Sequence, residues 1–222
     1  MYTYKKSILD DHIFNFIYGC ALHDAVLQKA YEGERTWISK VSGAKMAVKK
    51  YIDRVVRGDF KNSDANTKAT HEKVFLETAI EVCNKINNSN DKPTNPTVGR
   101  FTFGNAQKLI NMTTKHVYAH TYSMNLLEHD SIRDYFRHCH CPMDSIMLDK
   151  VWKEYKNSFD NSIRKKELGN CECFHKSWGN EDFNTNKQIL PCRYKKFQEA
   201  INDIIDKNGG NIFPVEYDYI FW

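Results

Sequence analysis

Two segments of this 222-residue chain place reactive side chains where helices are predicted to begin. In residues 100–119, RFTFGNAQKLINMTTKHVYA, a glycine turn leads into a helix, and Lys108 follows Gly104 by four positions. The unpaired N–H groups of a helix start carry partial positive charge and suit a phosphate. The spacing is not that of a P-loop, whose second glycine and adjoining lysine are missing. In residues 138–152, HCHCPMDSIMLDKVW, Pro142 precedes Asp144 and an apolar-periodic helix follows. Asp144 therefore stands at or just inside a helix start, where an aspartate most often serves as a cap. Arg133 and His138 have Arg-x4-His spacing. Around them lies a late cluster of Cys139, Cys141, Cys171, Cys173 and Cys192 with His138, His140 and His175. Both close pairs are Cys-x-Cys, tighter than a zinc knuckle, so reduced thiols are expected and no metal or other cofactor is assigned.

Helical periodicity supplies the elements that must position these groups. It predicts helices over 7–31, 37–57, 67–87, about 105–122, a short stretch within 131–138, 143–155 and 192–207. Ser7 is the expected cap of the first, with Asp10 three residues on. Gly209 and Gly210 end the last. The polar segment 87–99, with Pro93 and Pro96, is the best internal boundary. Residues 156–191 read as loop-rich, and the aromatic tail from 211 is expected to lie extended against the core. With no repeat and no convincing run of alternating strands, the fold class is all-α. The chain reads as one domain, 1–222, with lobes at 1–90 and 91–222.

Taken together, the two reactive segments resemble the helix-hairpin-helix DNA glycosylase superfamily. There a hairpin of the type L-P-G-V-G-x-K-T-A-N holds the DNA backbone, and a segment of the type P-V-D-x-x-V-x-R begins the next helix with the catalytic aspartate. Gly104-Asn105-Ala106-Gln107-Lys108-Leu109-Ile110-Asn111 matches the first in its Lys-x-x-Asn spacing, and Pro142-Met143-Asp144-Ser145-Ile146-Met147-Leu148 matches the second. Only one hairpin glycine is present, no Leu-Pro precedes it, and the family's iron–sulfur cysteine pattern is absent. Lys108 and Asp144 are 36 residues apart, more than in the family, which implies an insertion around 120–138. The resemblance implies two helical lobes around a cleft, Asp144 and Lys108 as catalytic residues, and Phe103, Gly104, Asn105 and Gln107 as DNA contacts. The partner is then double-stranded DNA with a flipped base, bound by a monomer.

The chemistry suits these residue types. Breaking an N-glycosidic bond builds positive charge on the deoxyribose, which a carboxylate stabilises while it orients or deprotonates the nucleophile. A neutral lysine amine can attack C1′ and form a Schiff base, which adds AP-lyase cleavage. The target base must first leave the stack. Tyr118, Tyr122, Phe136, Trp178, Tyr217, Tyr219 and Trp222 are pocket candidates, although each such aromatic is more often core. The departures from the family imply a divergent branch. A modified base in invading phage DNA, and so antiphage defence, is one expectation for it beside ordinary repair.

Two other readings compete. Arg133 and His138 carry the spacing of the HEPN ribonucleases, which are also all-α. A non-catalytic DNA-binding module would use the basic face Lys45, Lys49, Lys50, Arg54 and Arg57 for phosphates, although such a run is usually a solvated helix face. Composition permits all three. With 32 Lys and Arg against 28 Asp and Glu, a net charge of +4 permits a polyanion partner without demanding one. The apolar share of 41% suits a packed core. No run is long enough to span a bilayer, so no membrane partner is expected. The N-terminal residues lack a secretory pattern, so the expected location is cytoplasmic.

Overall fold

A computed structural model describes residues 9–26, 36–92, 100–124, 126, 129–158 and 190–220. Every regular element among them is a helix: α1 Asp11–Val26, α2 Thr36–Ser39, α3 Ser42–Val56, α4 Ala65–Asn87, α5 Phe103–Ser123, α6 His129–Tyr135, α7 Ser145–Ser158, α8 Cys192–Lys207 and α9 Pro214–Ile220. No helix of the described residues is long and apolar enough to cross a membrane.

Local chemistry explains most boundaries. Asp10 caps α1, its Oδ1 accepting from His12 N at 2.7 Å; the predicted cap Ser7 lies outside the described residues. The predicted 37–57 helix is broken. Lys40 N and Val41 N turn back to Trp37 O and Ile38 O, which closes α2 and lets α3 start afresh. Asp64 caps α4, accepting from Thr67 N at 2.9 Å and from Thr67 Oγ1 at 2.7 Å. Gly209 and Gly210 end α8 with φ of 98° and 66°, a conformation that favours glycine. The tail is not extended as expected. Pro214 pre-sets the first turn of α9, and Glu216 reaches back to Phe213 N at 2.7 Å.

Helix α5 is the axis of the fold. It buries 14 of its 21 residues and packs against α1, α3, α4, α6 and α9. A helix buried on most sides must satisfy its polar side chains internally. Thr113, Thr114 and Thr121 do so by donating to the carbonyls of Leu109, Ile110 and Val117 at 2.7–2.9 Å. Pairs α3–α4, α7–α8 and α8–α9 complete the packing. The buried apolar side chains form one cluster that runs from Leu9 to Tyr217.

Candidate functional site

Construction of the site begins at the entry to α5. The Asn87 amide pairs with both backbone groups of Phe101, each at 2.8 Å, and so fixes the incoming chain. Thr102 caps α5 in a reciprocal box with Asn105, and Asn105 Nδ2 also donates to Ala25 O at 3.0 Å. This anchors the first turn to the end of α1 and sets the rotation of α5.

One turn on, Gln107 clamps the segment ahead of α7. Its Nε2 donates to Met143 O at 2.6 Å and its Oε1 accepts from Met143 N at 3.1 Å. Gln198 of α8 treats Cys141 in the same way, accepting from Cys141 N at 3.1 Å and donating to Cys141 O at 2.7 Å. Two side-chain amides thus hold alternate residues of one segment, much as a neighbouring strand would. Between them Asn111 Nδ2 donates to Gln107 Oε1, Cys141 O and the Tyr194 hydroxyl at 3.2, 3.4 and 2.9 Å. The Tyr194 hydroxyl bonds His140 Nδ1 at 2.8 Å.

The result is a fixed meeting of Lys108 and Asp144. Lys108 Nζ lies 3.3 Å from Asp144 Oδ2, and the two side chains are 13% and 14% exposed. The other oxygen, Oδ1, caps α7 by accepting from Met147 N at 2.9 Å, while Asp144 O accepts from Leu148 N at 2.8 Å. Asp144 is therefore both the expected helix cap and a partner of Lys108. A paired carboxylate and amine at a helix start, screened from most solvent, can exchange a proton and stabilise developing positive charge.

The expected DNA contacts lie inside the fold. Phe103 and Gln107 are fully buried, Asn105 is 3% exposed and Gly104 is buried in the first turn of α5. Phe103 packs edge-on to Tyr194 at 5.1 Å, Gly104 O accepts from Gln107 Nε2, and Asn105 is the capping partner. These residues build the site from within, and their side chains are not available to a DNA backbone. Residues 88–102 separate α5 from α4.

Arg133 and His138 are engaged with different partners within the chain. Arg133 grips Glu216 through Nε at 3.0 Å and Nη2 at 2.7 Å, and also donates to Asn211 O. His138 Nε2 bonds Asn62 O at 2.7 Å. Three residues of the basic face are paired: Lys49 lies 3.4 Å from Asp11 and 3.6 Å from Asp53, and Arg54 and Arg57 share Asp59. Among the pocket candidates, Tyr118, Phe136 and Tyr217 are core, whereas Tyr122 and Tyr219 are exposed. Trp178 and Trp222 lie outside the described residues.

The late cysteines divide as well. Burial drives the Cys139 thiol up to about 12 and also raises Cys141 well above the usual thiol value, opposite to what a metal thiolate needs. Cys192 is exposed, and Cys171, Cys173 and His175 lie outside the described residues. No group of three or more His, Cys, Asp or Glu among the described residues is placed to hold a metal ion.

A buried imidazole cluster was not singled out from sequence. His71 is fully buried, its ring 5.2 Å from that of His140 and 6.3 Å from that of His138, and its Nε2 bonds the Tyr51 hydroxyl at 2.8 Å. Burial first, then His140, His138 and Arg54, hold His71 well below its usual pKa. Its position four residues before Phe75, on the buried face of α4, was the available signal.

No protein-family model, no curated protein and no solved structure matches this chain.

Proposed function

We propose that this protein is a DNA N-glycosylase whose reacting groups are Asp144 and Lys108. One observation carries the reading. Two residues 36 positions apart, singled out by motif resemblance alone, meet at 3.3 Å, with the carboxylate at the start of α7. In the proposed reaction a damaged or modified base is flipped from duplex DNA. Asp144 stabilises positive charge on the sugar as the N-glycosidic bond breaks. Lys108, giving a proton to Asp144, attacks C1′ as the base leaves; return of that proton to O4′ opens the C1′–O4′ bond and gives a Schiff base from which the strand can be nicked. Water activated by Asp144 in place of the amine gives the monofunctional version. A role in defence against phage DNA with modified bases belongs to this reading as one substrate class. The ties that hold Arg133 to Glu216 weigh against the ribonuclease alternative.

The test uses duplex DNA with one abasic site and borohydride reduction. A covalent adduct is expected in the wild type, with loss in Lys108→Ala and marked reduction in Asp144→Asn. Specific abasic-site binding without an adduct selects the monofunctional version. Neither adduct nor binding overturns the proposal.

A further inference from the structure

Helix α1 is apolar on the face it turns outward as well as on the face it buries. Phe14, Ile17, Tyr18, Ala21, Leu22 and Ala25 are buried, whereas Phe16 is 73% exposed and Ile13 37%. Gly19 and Cys20, one turn on from Phe16, continue the exposed stripe. Met46 of α3, 52% exposed and one turn before the Lys49 that reaches Asp11 and the Phe14 ring, extends the patch. The 16 residues of α1 include no Lys, Arg or Glu, and its two aspartates stand in the first and last turns. The outer faces of α4, α7 and α8, by contrast, carry ion pairs four residues apart. A helix apolar on all sides is one that is covered on all sides, and a contiguous exposed apolar patch marks a contact surface.

Charge and shape select what covers it. With no Lys or Arg on α1, the stripe suits neither a phosphate backbone nor an anionic lipid surface. Its shape is complementary to itself. Phe16 projects, and three positions on Gly19 leaves a gap, since a Cβ there meets no described atom within 4 Å. Two α1 helices packed antiparallel about a two-fold axis between residues 16 and 19 set each Phe16 over the other's Gly19, and each Ile13 beside the other's Cys20. Such an isologous contact closes on itself as a dimer. The ends agree with the same register. It brings the exposed Asp11 of one copy near the exposed His23 of the other, and it opposes the two helix dipoles.

We propose that the outer face of α1 is an interface with a second copy of this chain, in a two-fold dimer whose central contact is Phe16 on Gly19. The motif resemblance implies a monomer; this face implies association. The surface is separate from the Lys108–Asp144 pair and stands without the glycosylase reading. One helix about 24 Å long offers less than the ~800 Å² per partner of a standard interface. The dimer is therefore a weak one, with a dissociation constant in the micromolar range.

Sedimentation velocity of the full chain, from about 1 to about 300 µM, tests this and should show a reversible monomer–dimer equilibrium. Phe16→Ala, at an exposed position, should weaken the dimer by about tenfold or more. Gly19→Leu is the sharper variant. It adds apolar surface and helix propensity where the single chain has open space, so the fold is kept and unspecific sticking would grow. It also fills the gap that receives Phe16, so the dimer should be lost. Circular dichroism on heating checks that both variants are folded. Ile146→Ala, at an exposed apolar position of α7, is the control and should leave the dimer unchanged. A chain that stays monomeric throughout, a dimer that either Phe16→Ala or Gly19→Leu leaves intact, or association that runs past the dimer overturns the proposal.

Discussion

Acid should loosen this protein through His140. The imidazole is 7% exposed and faces His71 and Phe75 of α4, Tyr194 of α8, and the neighbouring His138. Burial first, then the charges of Lys68 and His138, push it from 6.5 down to about 3. Asn111 Nδ2 already donates to the Tyr194 hydroxyl, so the hydroxyl proton is directed at His140 Nδ1, where a second proton would conflict. Because the folded pKa lies below the unfolded one, the unfolded chain binds the extra proton between about pH 6.5 and pH 3. Stability is therefore full above pH 6.5 and is lost as pH falls through that window. At pH 5 the unfolded form gains 1.5 pH units of protonation, about 2 kcal/mol from His140 alone. That is a large share of a total of about 5–15 kcal/mol. His71 and His138, also held below their usual values, act in the same direction. Urea unfolding followed by circular dichroism at pH 7.5 and pH 5.0 reads the effect. His140→Gln lowers stability at both values, but its loss between them should be about 2 kcal/mol smaller than that of the wild type. The exposed His12→Gln should leave the difference unchanged. Equal pH-dependent losses in wild type and His140→Gln would refute the reasoning.

Other perturbations separate the parts of the site. Asp144→Asn keeps an oxygen for the α7 cap and should cost under about 1 kcal/mol, whereas Asp144→Ala also removes the cap and should cost about 1–2 kcal/mol more in thermal unfolding. Gln107→Ala strands both backbone groups of Met143 and should destabilise by about 2–5 kcal/mol, read by urea unfolding. Phe103→Ala, at a fully buried ring, should cost about 3–5 kcal/mol in the same assay. Gly58→Ala should be worse than Gly210→Ala: both have positive φ, but a Cβ at Gly58 meets Tyr135 Cε1 at 3.0 Å, whereas Gly210 opens onto free space. Equal melting temperatures for the two would show that the Tyr135 contact yields freely.

What sequence reveals here follows the range of the interaction. Apolar residues at 3.6 spacing and short polar runs predict seven helical stretches, because periodicity and punctuation are local signals. The break at residues 40–41 escapes that reading, since the periodic face continues across it and only backbone turns show the interruption. The tail escapes it too. Aromatic content suggests an extended strap, while Pro214 and Glu216 set a helix start. Lys108 and Asp144 are legible from the motif, and their meeting is not, because it depends on the rotation of α5 set by Asn105 and on the amide clamps of Gln107 and Gln198. Glutamine on an apolar helix face carries no sequence signal of which backbone it will pair with. Buried polar residues that look like ligand contacts in a motif can equally be the frame that holds the ligand contacts.

The two oxygens of Asp144 show how such a frame limits the cost of the pair. A largely buried ion pair is weak as a source of stability, because desolvation offsets the attraction. Here the position of Asp144 does not depend on Lys108. Oδ1 is fixed by Met147 N, its carbonyl by Leu148 N, and the preceding residue by both hydrogen bonds to Gln107. Lys108, for its part, rides on an α5 whose first turn is anchored to α1 through Asn105. Each partner would therefore hold its place if the other were changed. Neutralising Lys108 leaves Asp144 capped, and Asp144→Asn leaves Lys108 on the same helix face. A pair held together by its own attraction would collapse when either member was replaced. In a pair held from outside, loss of chemistry in a single variant reports on the missing group, which is the condition that makes the adduct test decisive.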